Sequence, residues 1–319
     1  KIPRDIVIRE LRKAKGVKSV SPNYLAKAAY TSEKSQQPGK VAPVLPVAEA
    51  KVKPNDPLFS KQWHHGKLDS LDAWNESMGK GAVVAVIDTD VDWQHEDLQQ
   101  NIWANTDEIS GNGIDDDNNG FIDDIIGWDF VDTFPWSQFP LEDYISEDND
   151  PSGYFGHGTH VAGIIGARLN NNKGVVGVCP DCEIMALRAG YTPGYLEYAD
   201  IIEAIVYAAD NGADVVNMSF GGSYNEPSMQ TAVDYAYQKG VTLVAAAGNT
   251  YSEEAFYPAS YENVLSVAST DYNDQKSPFS TYGVWVDVAA PGENILSTVP
   301  MNAYFLEQDC APLSNKNRY

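Results

Sequence analysis

The stretch Val83-Val84-Ala85-Val86-Ile87-Asp88 decides the fold. Five consecutive apolar residues, most of them β-branched, read as a strand buried on both faces, and such strands belong to parallel sheets covered by helices. Outward from it, helical and strand patterns alternate. A helical pattern runs from Val161 to Leu169, a strand follows from Glu183 to Leu187, and the stretch 195–211 reads as a helix with Ala199, Ile202, Val206 and Ala209 on one face, closed by Gly212. Val215 to Met218 is again a strand. Pro227 then opens a helix that Gly240 closes, and Val241 to Ala247 is the next strand. The alternation predicts an α/β fold, a parallel sheet with right-handed crossovers and helices on both faces. Function in such sheets gathers beyond the carboxyl ends of the strands, where Asp88, Ser219 and Asn249 all fall.

Composition narrows the function. With 43% hydrophobic and 21% charged residues among 319, the chain can bury a large core, which excludes collagen-like and wholly disordered readings. A formal net charge of −23 speaks against a nucleic-acid partner, whose phosphates need a basic face. No window approaches 18 consecutive apolar residues and no helix carries a basic amphipathic face, so no membrane partner is expected. The sequence starts at Lys1 with no apolar leader. Cys179 and Cys182 form a C-x-x-C pair and Cys310 stands alone; without a further Cys or His cluster they make no four-ligand zinc site.

Charge also divides the chain. Residues 1–53 hold 12 Lys/Arg against 4 Asp/Glu and residues 54–319 hold 10 against 41, so a basic segment precedes an acidic body on which it can dock. Residues 5–16 read as a short basic helix, and Val17 to Val20 as a strand ending at Ser21-Pro22-Asn23-Tyr24. From Ala26 to Lys53 the chain is rich in Ala, Pro, Lys and Gln without periodicity, the composition of a linker.

Three motifs carry chemistry. Asp88 places a carboxylate at the mouth of a buried strand, where it needs a partner or serves as a helix cap. Gly156-His157-Gly158-Thr159-His160 precedes a helix, and its glycines let the imidazole approach other groups closely; a metal site using both histidines is the rival reading. Ala245-Ala246-Ala247-Gly248-Asn249 sets an amide at a strand end, where it can donate to a developing oxyanion.

Taken together in this order, the motifs resemble those of the subtilisin-like serine proteases, the subtilases, over about Pro54 to Pro300. The likeness lies in Val86-Ile87-Asp88-Thr89-Asp90, His157-Gly158-Thr159-His160-Val161-Ala162-Gly163, Asn217-Met218-Ser219-Phe220-Gly221-Gly222, Ala246-Ala247-Gly248-Asn249 and Ala289-Ala290-Pro291-Gly292. The resemblance implies that His157 is the general base, that Asp88 orients and stabilises its imidazolium, and that Asn249 donates to the oxyanion. It implies further that Ser219, Phe220 and Gly221 pair with an extended protein or peptide substrate. Residues 5–24 resemble the end of the subtilase propeptide, whose tail occupies the cleft as an inhibitor. The expected organisation is a small α+β propeptide remnant over 1–25, a linker over 26–53, a subtilisin-like catalytic domain over 54–300 that is incomplete at its C-terminus, and a non-matching tail over 301–319. A secreted, extracellular zymogen is the expected setting.

The pattern is broken in two places. The family's Gly-Thr-Ser-Met-Ala motif, which carries the nucleophile, does not occur, and the serines beyond the Pro-Gly turn are Ser297, in an expected strand Ile295 to Val299, and Ser314, which lacks small neighbours. Neither is a credible nucleophile, so the attacking atom and one oxyanion N–H are missing together. A shortened sequence, a shifted reading frame after Pro300 and a natural pseudoenzyme each fit, and the abrupt loss of likeness favours the first two. Asp90 stands where the family usually has Gly, and it is expected to point outward.

Calcium is the expected cofactor, on two grounds. Residues 81–167 hold 19 Asp/Glu and no Lys or Arg, and within them Asp115, Asp117, Asn119 and Asp123, with Gly120 at the turn, have the oxygen spacing of an EF-hand-like loop; a solvated acidic loop is the alternative. The resemblance supplies the second site: side-chain oxygens from Asp56, Asp97 and Asn171, and carbonyls from Leu169, Lys173 and Val175. Three functions therefore compete: a calcium-stabilised serine endopeptidase, a non-catalytic peptide-binding pseudoprotease, and calcium-dependent adhesion.

Overall fold

The computed structural model describes residues 22–29, 52–132 and 146–300, with Lys13 and Val20 besides. The expected helix over 5–16 apart from Lys13, the strand Val17 to Val20 apart from Val20, and the tail with Ser314 lie outside the described residues. The strands are β1 (Leu25–Ala28), β2 (Val83–Asp88), β3 (Gly127–Asp129), β4 (Glu183–Arg188), β5 (Gly190–Tyr191), β6 (Tyr195–Glu197), β7 (Val215–Met218), β8 (Phe220–Gly221), β9 (Thr242–Ala246), β10 (Val264–Thr270) and β11 (Val288–Pro291). The α-helices are α1 (His64–Lys67), α2 (Ser70–Glu76), α3 (His157–Gly166), α4 (Tyr198–Asp210) and α5 (Pro227–Gln238).

Seven strands form one sheet in the order β11-β10-β9-β7-β2-β4-β3, and every neighbouring pair is parallel. The two-residue period of a strand explains how both faces are filled. On β2, Ala85 and Ile87 face one core with Ile201, Ala204 and Ile205 of α4 and Val233 and Ala236 of α5. Val84 and Val86 face the other, with Val161 and Ala162 of α3. Strand β4 repeats the division, Met185 and Leu187 on the first side and Ile184 and Ala186 on the second. The expected α/β sheet with helices on both faces is the observed architecture.

Local expectations fared differently. Helix α5 begins at Pro227, with the Glu226 carboxylate accepting from the Ser228 N–H, and ends before Gly240 at φ +94°. Helix α4 is shorter than 195–211, because Tyr195–Glu197 is spent on a strand, and its buried stripe is Ile201, Ala204, Ile205 and Ala208. The stripe read from sequence is turned away by about one residue: Ala199 is exposed and Ile202 and Val206 are half-buried. The apolar arc of this helix is wider than its contact, and the sheet together with α5 selects the side that is buried. Ile295 to Val299 is not a strand; it is tied to α3 by side chains, Ser297 Oγ donating to the His160 carbonyl at 2.7 Å and Thr298 Oγ1 to that of Thr159 at 2.7 Å. The linker does not begin at Ala26, since Leu25–Ala28 is the strand β1.

Near the start of the body two histidines are buried uncharged. Burial, with the charges of His65 and His160, brings His64 down to about 3, and neither of its ring nitrogens has a hydrogen-bond partner. Burial likewise brings His65 down to about 4, although it bonds Ser70 Oγ and the Val176 carbonyl. An unfolded chain protonates these rings below 6.5 and the folded one does not, so stability present above that pH is lost as pH falls toward 4. In denaturant titrations His64→Leu should therefore lose stability on acidification less steeply than the parent, by up to ~1.4 kcal/mol per pH unit. Buried carboxyls such as Asp200, raised to about 8, act in the opposite sense in both proteins and cancel in the comparison. Parallel profiles would show that His64 is not held neutral.

Candidate active site

The end of β2 and the start of α3 meet at one point. Asp88 closes β2 and has no exposure; its Oδ1 accepts from the Thr89 N–H at 2.7 Å, the Thr89 hydroxyl at 3.1 Å and His157 Nδ1 at 2.7 Å. A carboxylate only accepts, so Nδ1 donates to Asp88, and the ring's hydrogen bond to the Ala29 backbone falls to Nε2. The approach demands a glycine after the histidine: a Cβ on Gly158 would stand 2.0 Å from the Asp90 carbonyl oxygen and 2.8 Å from Asp88 Cβ.

Asp90 points inward, against expectation. It is fully buried, takes the Gly156 N–H on both oxygens at 3.0 and 2.9 Å, and accepts from the Thr89 hydroxyl at 2.7 Å. The free amide at the start of α3 compensates a carboxylate that water does not reach. Burial on its own lowers the pKa of His157, yet the charge and hydrogen bond of Asp88, a backbone hydrogen bond to Ala29 and the charge of Asp90 outweigh it and raise it. His160 is brought down to about 4 by burial and the His157 charge, and its Nε2 donates to the Ile295 carbonyl. The two histidines are thus engaged separately, which removes the metal reading of the pair.

The segment expected to receive substrate is occupied by the chain itself. Strand β1 lies between β6 and β8 in a four-stranded antiparallel sheet of order β5-β6-β1-β8, with Lys27 opposite Gly221 and Ala28 opposite Phe220. The Ala28 N–H donates to the Gly194 carbonyl at 2.9 Å, and the Ala29 N–H to that of Ser219 at 2.7 Å. Ala29 is therefore bonded to the predicted substrate strand and to His157. Asn249 follows β9 after Gly248, and the register of Met218 with Ala245 brings it to the same sheet edge as Ser219.

Two further loops are rich in oxygen donors. Asp56 accepts from the N–H groups of Asn170 and Asn171, while Asp97 accepts from the Asn171 amide and, at 3.0 Å, the Val175 N–H. Burial, with the neighbouring charges of Asp56 and Glu96, raises Asp97 to about 6, and Asp56 is raised as well. Leu169 and Lys173 belong to the same loop, and the Lys173 N–H donates to Asn171 Oδ1. Two buried carboxylates, both raised by burial and Asp97 further by the charge of Asp56, are a donor set suited to a hard cation. In the acidic loop, oxygens of Glu108, Asp115 and Asp117 lie within 4.8 Å of one another, so Glu108 joins a cluster in which sequence spacing did not place it. Asn119 donates to Asp117 and Asp124, and Asp123 accepts from the N–H groups of Gly111, Asn112 and Gly113. The thiols of Cys179 and Cys182 are free. No helix among the described residues is long and apolar enough to cross a membrane.

Residues 79–315 match the Subtilase family. The chain belongs to that family. It is 40% identical over 252 residues to thermitase of Thermoactinomyces vulgaris, covering 79% of this chain and 77% of thermitase. It is 36% identical to the thermophilic serine proteinase of Bacillus sp. (strain AK1), covering 94% of this chain and 61% of that protein. Among solved structures, a protease from Pseudoalteromonas arctica PAMC 21717 matches with a TM-score of 0.67 at 30% identity, covering 79% of this chain and 78% of that one. Subtilases are serine endopeptidases, so this chain is a member of a hydrolase family. Its relatives include proteases named extracellular and others named intracellular.

The electrostatics at His157 are directly measurable. Proton titration followed by NMR should find His157 above 6.5 and His160 near 4. Asp88→Asn removes the negative charge that does most to offset burial and should move His157 downward, with Asp90→Asn moving it less. An unmoved His157 in Asp88→Asn would mean that the pair is not the electrostatic unit described.

Proposed function

We propose that this chain carries the Asp and His of a subtilisin-type serine endopeptidase, which hydrolyses peptide bonds through an acyl-enzyme. The observation that carries the proposal is the Asp88–His157 pair set against an extended strand whose Ala29 bonds both His157 and Ser219. In that reaction His157 takes the proton of the attacking hydroxyl, Asp88 stabilises the imidazolium, and Asn249 donates to the oxyanion. Ser219, Phe220 and Gly221 hold the substrate main chain. Residues 1–25 are the end of the propeptide, of which the described stretch, continued to Ala29, lies against the substrate strand as an inhibitor; the body that holds it follows, and the setting is secreted.

The attacking serine is not carried by these 319 residues. Ser297 is 2% exposed and its hydroxyl is spent on the His160 carbonyl, which supports that reading. Without a Gly-Thr-Ser motif in the sequence, a second reading also has support: a pseudoprotease that binds extended peptides and performs no chemistry. Phenylmethylsulfonyl fluoride should leave the 319-residue chain unlabelled, and it should hydrolyse no peptide at a subtilase rate. Covalent labelling of any serine would overturn the assignment. Reading the coding DNA past Pro300 separates the two functions, since a Gly-Thr-Ser codon run in any frame favours the protease.

Calcium is proposed for both loops, with unequal effect. The ligands Asp56, Asp97, Leu169, Asn171, Lys173 and Val175 come from three distant parts of the chain, so a cation there cross-links them. Asp115, Asp117, Asn119 and Asp123, with Glu108, lie close in sequence, so a cation there orders one loop. A ligand that binds only the folded state contributes roughly 4 kcal/mol at 1,000 times its Kd. EGTA should lower Tm, Asp97→Ala should remove most of that response, and Asp117→Ala little. The reverse ranking would refute the cross-linking argument.

A further inference from the structure

Strand β1 makes main-chain bonds that any sequence can make, and its buried side chains, Ala26 and Ala28, are single methyl groups, while Leu25 and Lys27 face solvent. The buried positions of β1 select only for small size, and the residues before β1 supply further sequence recognition. The Tyr24 ring stacks on Tyr224 with centroids 4.4 Å apart and planes 13° apart, and meets Tyr198 edge-on at 5.9 Å. Tyr198 and Tyr224 are held as a unit, because the Tyr198 hydroxyl donates to the Tyr224 carbonyl at 3.0 Å.

The first turn of α4 completes the contact. Its N-cap residue, Glu197, provides no side-chain cap. The cap comes from Asn23, whose Oδ1 accepts from the Ala199 N–H at 3.0 Å while its Nδ2 donates to the Glu197 carboxylate. The Tyr24 carbonyl accepts from the Tyr198 N–H at 2.9 Å. Two otherwise orphaned helix amides are satisfied from a segment about 175 residues away in sequence. An amide side chain suits this place better than a carboxylate, which would face Glu197 with like charge.

We propose that Tyr198, Tyr224 and the first turn of α4 form a distal subsite for an Asn-aromatic pair, the two residues lying six and five positions upstream of the residue bonded to His157. The ligand is an extended peptide of the pattern Asn-aromatic-x-small-x-small-small, which Asn23 to Ala29 satisfies. Tyr224 remains 52% exposed, so the site is an open shelf that accepts any planar ring. The inference rests on residues 25–29 lying in the substrate cleft, and the test separates the two claims.

Hydrogen exchange of the full 319-residue chain reads docking through the amides of Ala28 and Ala29. Asn23→Ala, Tyr24→Ala and Tyr224→Ala should each speed their exchange about tenfold, while Tyr24→Phe and Tyr224→Phe retain protection and the β2 amides do not change. Asn23→Asp should act like Asn23→Ala. An excess of synthetic peptide 21–29 should speed the same amides by competition, and the peptide with Tyr24→Ala should not. Unprotected Ala28 and Ala29 amides in the parent would overturn the cleft reading along with the subsite. Protection in the parent that persists in all three alanine variants would overturn the subsite alone.

Discussion

Asp88 is a carboxylate at the end of a strand with no exposure to water, and ionised carboxylates survive there only when compensated. Compensation comes from the next residue and from a helix 69 positions on, through the Thr89 amide and hydroxyl and the His157 ring. This need brings the start of α3 against the end of β2 and allows no side chain at Gly158. It also leaves Nε2 of His157 toward the cleft in which Ala29 lies. The geometry of the cleft thus follows from one buried charge.

Four neighbouring strands of the main sheet, β2, β4, β7 and β9, were legible in the sequence because they are largely apolar, whereas β3, β10 and β11 were not read from it. Val83 to Ile87 and Val215 to Met218 needed nothing beyond their own residues. What escaped reading was decided by partners distant in sequence. Asp90 was expected outside because a second carboxylate beside Asp88 is costly, and only the fold reveals that the Gly156 amide waits for it. The buried stripe of α4 was misjudged for a related reason: Ile201, Ile202, Ile205 and Val206 form one wide apolar arc, and packing, not composition, selects which side of it is buried. Leu25–Ala28 has no strand-forming sequence to speak of, and becomes one because two edges receive it.

The candidate site was legible to a similar depth. Asp88 and His157 were singled out from their motifs and the fold pairs them; Ser219, singled out in the same way, accepts from the Ala29 N–H. Glu108, by contrast, meets Asp115 and Asp117 only after the loop turns back on itself. Tyr198 and Tyr224 carry no motif, and their pairing depends on a hydrogen bond between separate elements.

The place of β1 in the small sheet bears on solubility. β1 sits in the interior of that sheet, so any state in which it withdraws leaves the inner rims of β6 and β8 with unpaired N–H and C=O groups, a template on which other chains can stack. The rims are three and two residues long, and one ends in Glu197. Such short stretches offer an incoming strand few ladder bonds, so withdrawal of β1 does not by itself invite sheet growth from one molecule to the next.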